Sequence, residues 1–134
     1  MSVLYYENDY AWMSINNDIL SIYVKQGFVM DEEEIDMILT DANRLLDEKP
    51  YFTVFDMSNI KEVSPAARRF YFDHISNKNK LAEALIVNSL TMKMFATFYI
   101  QFYKPSVPTK LFNTILQAET WIKNVKSAVT TNIA

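Results

Sequence analysis

The spacing of apolar residues changes along this chain from strict alternation to a helical period, and this change restricts the possible folds more than any other feature. Apolar and polar residues alternate over 10–15 and 20–24, on either side of the polar turn Asn16-Asn17-Asp18. Alternation around a polar turn predicts a β-hairpin with one buried face. After Gly27 the apolar positions recur every three or four residues as far as Leu46, following a first turn rich in acids. That pattern predicts an amphipathic helix.

The rest of the chain alternates between short apolar runs and helix signals. The run 51–55 is almost continuously apolar, which is typical of a strand covered on both faces. Ser64 followed by Pro65 predicts a helix start, because the hydroxyl accepts a free amide proton and proline has no amide to leave unpaired. Further strands are predicted at 84–87 and 110–112. Helices are predicted at 64–77, at 90–103 and from Thr114, which forms a capping box with Gln117. Alternating strands and helices after a hairpin predict an α/β fold with a mixed sheet and about four helices.

The chain has 134 residues, the length of one ordinary domain. We expect a single domain over 1–126 and a flexible C-terminal tail over 127–134. The net charge is -3 and no basic cluster occurs, so no nucleic-acid partner is expected. Residues 1–12 lack the features of a signal peptide, and no uncharged run reaches the roughly 18 residues that span a bilayer. With no cysteine, these features predict a cytoplasmic protein without a transmembrane segment.

The residue types that carry most enzyme chemistry are scarce. The absence of cysteine excludes thiol nucleophiles and zinc sites with sulfur ligands, and Gly27 is the only glycine, whereas phosphate-binding loops need several. His74, the only histidine, falls within the apolar stripe of its predicted helix, so we expect it to be packed and hydrogen-bonded rather than catalytic. The acidic residues in 31–36 suit a helix N-terminus better than a metal site. We therefore expect no enzymatic activity, no metal and no cofactor.

The loop after the run 51–55 is the first candidate binding site. Asp56, Ser58 and Asn59 follow a predicted parallel strand, and the loop leads to Ser64 at the next helix. Ligands of open α/β sheets gather at the carboxyl ends of the strands, so these four residues are candidates for binding a ligand or partner. The alternative left open is that they only hydrogen-bond their own turn.

The segment 90–103 is the second candidate. On a helical wheel its polar residues form one narrow stripe, and apolar residues cover more than half of the circumference, although a helix on a sheet needs an apolar arc of only about 100°. The surplus must contact neighbouring helices, a partner subunit, an apolar ligand or a membrane surface. The candidate contact residues are Phe95, Phe98, Tyr99, Phe102 and Tyr103.

Several short segments between residues 51 and 125 carry a family resemblance through their order and spacing. They are VFDMSN at 54–59, SPAAR at 64–68, ALIVNS at 84–89, Lys104-Pro105, PTKLF at 108–112, and Ala118 with Trp121-Ile122. With these segments the chain resembles the STAS superfamily, in particular its SpoIIAA-like branch, which is structurally likened to lipid-carrying CRAL-TRIO domains. The resemblance implies a mixed sheet that begins with a hairpin, helices packed mainly on one face, and a function without catalysis.

The resemblance also bears on regulation. Members that antagonise anti-sigma factors switch partners when a serine at the start of the second helix is phosphorylated, typically in an Asp-Ser-Ser/Thr-Gly pattern. Aligned from Asp56, this pattern falls on Ser64-Pro65-Ala66-Ala67, where proline holds the acceptor position. The resemblance therefore implies that the usual phosphate switch is missing here, and Ser64 is explained as a helix cap. In SpoIIAA-like members, the helix matching 90–103 is suggested to move and to contact apolar ligands or membrane.

Two functions from different classes follow. The first is a regulatory or interaction module that binds a protein partner or a second copy of itself, for instance as a homodimer. It predicts that replacing Tyr99 and Tyr103 by Ser weakens association and leaves the fold intact. The second is a carrier or sensor of a small apolar molecule or lipid, held between the aromatic helix and the sheet, with a possible association with the membrane surface.

Overall fold

The computed structural model describes residues 3–74 and 78–133, with side chains described up to residue 129. The strands are Leu4–Glu7 (β1), Ala11–Asn16 (β2), Ile19–Val24 (β3), Val29–Met30 (β4), Tyr51–Asp56 (β5), Glu62–Val63 (β6), Lys80–Ile86 (β7) and Thr109–Phe112 (β8). The helices are Glu32–Leu46 (α1), Pro65–His74 (α2), Leu90–Phe98 (α3) and Ile115–Ile133 (α4). A π-helical segment, Tyr99–Tyr103, continues α3.

The main sheet has six strands in the order β1-β2-β3-β5-β7-β8. β2 is antiparallel to both of its neighbours, β1 and β3, whereas β3, β5, β7 and β8 run parallel to one another. Asn17 and Asp18 close the β2–β3 hairpin with φ values of 52° and 68°, as the right-handed strand twist requires of a two-residue turn. The prediction of an α/β fold with a mixed sheet and a hairpin is therefore confirmed. β4 and β6 form a separate two-stranded sheet.

The helices divide unequally between the two faces of the sheet. Side chains alternate along β5, so that Tyr51 and Phe55 pack in the larger cluster with α1, α2 and α3, while Phe52 and Val54 pack against α4. All six residues of β5 are buried, as expected for a strand covered on both faces. Three helices therefore lie on one face, and α4 alone covers the other.

Two helix starts follow the chemistry of their sequence. Asp31 caps α1 in a full capping box with Glu34. The Ser64 hydroxyl accepts the Ala67 amide at 3.0 Å and caps α2. α2 ends at His74, and the predicted continuation to Asn77 falls on residues 75–77, which lie outside the described residues.

The C-terminal segment differs from its prediction as a flexible tail over 127–134. α4 continues to Ile133, with Ala134 outside the described residues. The reason is that Val125 and Val129 extend the apolar stripe of α4 onto the smaller core cluster. The Lys126 ammonium also donates a hydrogen bond to the Asn17 carbonyl oxygen.

Candidate functional site

The loop after β5 uses its polar side chains to hold its own shape. Asp56 is buried and accepts the Ser58 amide at 2.9 Å and the Ser58 hydroxyl at 2.6 Å. The Asn59 amide group donates to the Val24 carbonyl oxygen at 3.3 Å, which ties the loop to β3. The two bonds between Asp56 and Ser58 are those that the turn interpretation predicts, whereas the Asn59 bond reaches outside the turn. Asp56 Oδ1 and the Asn59 amide nitrogen are therefore engaged within the fold.

Ser64 joins the N-termini of the first two helices. Besides capping α2, its hydroxyl donates to the Asp31 carboxylate at 2.7 Å. This bond, followed by the bond from the Glu32 amide, lowers the pKa of Asp31 below its ordinary value. Ser64 is therefore explained by helix capping and helix–helix contact.

α3 and the π-helical segment carry a row of exposed apolar side chains. Met92, Ala96 and Tyr99 face the core and are buried. Four residues spaced by four remain exposed, and we call them the apolar ridge: Leu90 (75% exposed), Met94 (64%), Phe98 (45%) and Phe102 (68%). The rings of Phe98 and Phe102 lie 4.6 Å apart, so the ridge continues through the π-helical segment. The surplus apolar arc inferred from the sequence is thus partly unburied.

Tyr99 does not belong to this exposed surface, contrary to its selection as a contact residue. It is buried, and its hydroxyl donates to the Glu83 carboxylate at 2.7 Å. Because the Tyr99 change would remove a core ring and a partner of a buried charge, we now expect that replacing Tyr99 and Tyr103 by Ser destabilises the fold. The helical wheel showed that the apolar arc was too wide but not which part of it faces the sheet.

Phe95 and Tyr103 take an intermediate position. Both are half-buried, and both stack on the ring of Phe72 from α2, at centroid distances of 5.9 Å and 5.8 Å. The Phe72 ring also stacks on those of Phe98 and Tyr99. Of the five selected aromatic residues, only Phe98 and Phe102 therefore belong to the exposed ridge.

A buried polar cluster on β7 lies behind Tyr99 and was missed in the sequence. Glu83 is 1% exposed, pairs with Lys80 at 3.6 Å, and accepts the Thr109 hydroxyl at 3.3 Å. Burial raises the pKa of Tyr99, and the neighbouring Glu83 carboxylate adds to that effect. Burial also lowers the pKa of Lys80 despite the opposing effect of Glu83. A single acid within the apolar run of β7 was the signal that could have revealed it.

His74 is exposed rather than packed within an apolar stripe. Its ring stacks on Phe70 at 3.9 Å, and Nδ1 lies 2.8 Å from the Phe70 carbonyl oxygen. Among the residues that the structure describes, no group of three metal-ligating side chains comes together. Within the same residues, no helix is both long and apolar enough to cross a bilayer.

The candidate residues fall into two separate places. A groove of about 450 Å³ runs beside the apolar ridge, and it is lined by residues of β6, α2 and α3. None of its lining residues comes from the loop 56–60. The structure therefore does not unite the loop and the aromatic helix in one site.

A hairpin leading into parallel strands, with three helices on one face, defines a SpoIIAA-like α/β domain. The chain is similar in structure to an uncharacterized protein of the DUF3478 family with a SpoIIAA-like fold from Shewanella loihica PV-4. The TM-score is 0.56 at 12% sequence identity, over 90% of this chain and 92% of the other. This finding confirms the SpoIIAA-like resemblance at the level of fold.

The sequence itself places the chain more narrowly. The chain belongs to the family described as Domain of unknown function (DUF7793), whose sequence model matches residues 13–126. No curated protein matches the sequence significantly.

Proposed function

We propose that this domain is a non-catalytic interaction module that binds a second copy of itself through the apolar ridge of α3. The observation that carries the proposal is the exposure of Leu90, Met94, Phe98 and Phe102 in one row with a spacing of four residues. Soluble domains seldom leave a continuous apolar row uncovered without a binding role. A spacing of four also matches the rows by which two helices interdigitate, at a crossing angle of about -50°.

The area of the ridge supports a partner of the size of a protein. The exposed parts of four large side chains amount to roughly 500 Å². A standard interface buries about 800 Å² per partner, and about 65% of a homodimer interface is apolar. The ridge therefore supplies about the apolar area that a homodimer needs.

The groove beside the ridge supports a two-fold arrangement. Its lining includes Glu62 from β6 and Arg68 from α2, next to Met94 of the ridge. In a two-fold dimer the same patch meets itself, so Arg68 of one copy can pair with Glu62 of the other. Because the edge of the patch carries charges of both signs, two copies can attract each other there, whereas a surface with charges of one sign would repel its own copy.

The alternative function, a carrier of an apolar molecule between the aromatic helix and the sheet, has less support. Rings occupy the space under α3, where Tyr71 contacts Phe55, Phe95 and Tyr99 at centroid distances of 5.5–6.3 Å. An acyl chain would have to displace this packing. We therefore favour association through the outer face of α3 over a ligand beneath it.

Sedimentation velocity over a concentration series tests the proposal. We expect a reversible dimer, and Met94→Glu and Phe102→Glu should each weaken it at least about tenfold by placing a charge in the interface. Leu116→Glu is the matched control, because Leu116 is a 76% exposed apolar residue on another helix, α4. A protein that stays monomeric at all concentrations, or an equal effect of the control, would contradict self-association.

A further inference from the structure

The chain leaves two adjacent parallel strands toward opposite faces of the sheet. β7 is followed by α3 on the face of the larger core, whereas β8 is followed by α4 on the other face. Connections that diverge in this way open a crevice at the carboxyl ends of the two strands, where open α/β sheets bind ligands. This crevice is distinct from the apolar ridge and from the loop after β5.

A cleft of about 770 Å³ occupies this position. Lys93 and Thr97 from α3 line one wall, Lys110 from β8 lines the base, and Gln117 and Trp121 from α4 line the other wall. Lys93 and Thr97 belong to the narrow polar stripe of α3. The volume lies within the range of about 300–1,000 Å³ that is typical of small-molecule sites.

The charge of the cleft has one sign. Its lining contains two lysines and no acid, although the chain has 16 acidic and 13 basic residues. Across residues 3–74 and 78–129, the ion pairs involve Lys25, Arg44 and Lys80, so Lys93 and Lys110 have no carboxylate partner there. The Lys110 ammonium lies 5.7 Å from the centroid of the Phe112 ring, within the same lining. Two ammonium groups without a carboxylate partner in one concave site attract an anion.

Aromatic side chains form the apolar part of the same cleft. The rings of Phe112 and Trp121 lie 5.6 Å apart at 46°. The exposed Leu116 side chain lies beside them in the lining. An aromatic ring packed against these groups would add stacking and apolar burial to the attraction of the lysines.

We propose that the cleft between α3 and α4 binds a small aromatic anion, whose ring packs on Trp121 and whose charged group pairs with Lys93 and Lys110. A ligand with both a ring and a negative charge would contact both the aromatic and the basic part of the lining. Phosphate, sulfonate and carboxylate groups all carry negatively charged oxygen atoms that accept hydrogen bonds from lysine ammonium groups.

The two tryptophans of the chain allow a direct test with phenyl phosphate as the probe. Trp121 lines the cleft, whereas Trp12 lies on β2 outside it, so the two indole N–H signals of a ¹H–¹⁵N spectrum report on the site and on an internal control. The variant Trp12→Phe assigns the signals. We expect a saturable shift of the Trp121 signal, with the Trp12 signal unchanged.

Matched variants and probes separate recognition from general attraction. Lys93→Gln and Lys110→Gln should each weaken binding about fivefold, whereas Lys123→Gln, the same charge change on α4 outside the cleft lining, should not alter it. Benzyl alcohol and inorganic phosphate should each bind at least about tenfold more weakly than phenyl phosphate. Four results would each overturn the proposal. In the titration they are an unchanged Trp121 signal or equal shifts of both indole signals. In the comparisons they are an equal effect of Lys123→Gln, or inorganic phosphate that binds as tightly as phenyl phosphate.

Discussion

Removing the hydroxyl of Tyr99 is the most direct test of how α3 is held to the sheet. The hydroxyl donates to the buried Glu83 carboxylate at 2.7 Å, the shortest of the contacts that Glu83 makes with Tyr99, Thr109 and Lys80. A hydrogen bond to a charged group contributes about 1.5–3 kcal/mol. We therefore expect Tyr99→Phe to lower the free energy of unfolding by about 2 kcal/mol.

The assay is equilibrium denaturation together with a thermal melt. A loss of about 2 kcal/mol corresponds to a fall of roughly 8 °C in the melting temperature of a domain of this size. Tyr103→Phe removes the same atom from the same π-helical segment, and the Tyr103 hydroxyl forms no hydrogen bond to a described residue. We expect that control to change stability by less than about 0.5 kcal/mol.

A double-mutant cycle with Glu83→Gln separates the bond from the rest of the Tyr99 environment. If the carboxylate is the cause, the coupling between the two positions should be about 1 kcal/mol or more. A Tyr99→Phe protein that is as stable as the Tyr103→Phe control, or a coupling near zero, would refute the reasoning.

Three further results are expected from the described contacts. Ser64→Ala should raise the pKa of Asp31 toward its ordinary value in a carboxyl NMR titration, so that the stability that Asp31 loses between its unfolded-state pKa and its lower folded-state pKa becomes smaller, and the loss ends at a higher pH. Burial raises the pKa of Tyr51, so above about pH 10 the unfolded chain loses a proton that the folded chain keeps, and the free energy of unfolding should fall as pH rises. In a series of denaturation curves at different pH, Tyr51→Phe should reduce the slope of that free energy against pH by up to about 1.4 kcal/mol per pH unit. Phe72→Ala should lower the free energy of unfolding by about 2 kcal/mol and speed amide hydrogen exchange in 90–103, because the ring stacks on four aromatic rings of that segment. Unchanged exchange in that segment would contradict this role of Phe72.

The elements with strong local signals were predictable from the sequence. α1 has an acidic first turn, a capping box and a regular apolar stripe, and the structure places a helix over Glu32–Leu46, as the sequence pattern after Gly27 predicts. β5 was recognisable because six consecutive buried positions leave no polar alternation. In both cases the local pattern and the tertiary environment require the same residues.

Other features depend on contacts that no local pattern encodes. β1 has three exposed residues and one half-buried residue, so its sequence carries no alternation, and pairing with β2 alone defines it as a strand. The orientation of Tyr99 depends on Glu83, which lies 16 residues earlier in the chain. The cleft between α3 and α4 arises from the direction in which the chain leaves β7 and β8, which the spacing of residues does not specify.

The two outer strands of the main sheet have a consequence for how copies of the chain can meet. β1 and β8 are each four residues long. Charges accompany both edges, since Glu7 of β1 pairs with Lys25 and an exposed Lys110 lies on β8. Short, charged edges present few free backbone groups to another strand and so disfavour continuous sheet extension and fibre growth. In the proposed two-fold dimer through α3, by contrast, symmetry would close the assembly at two copies.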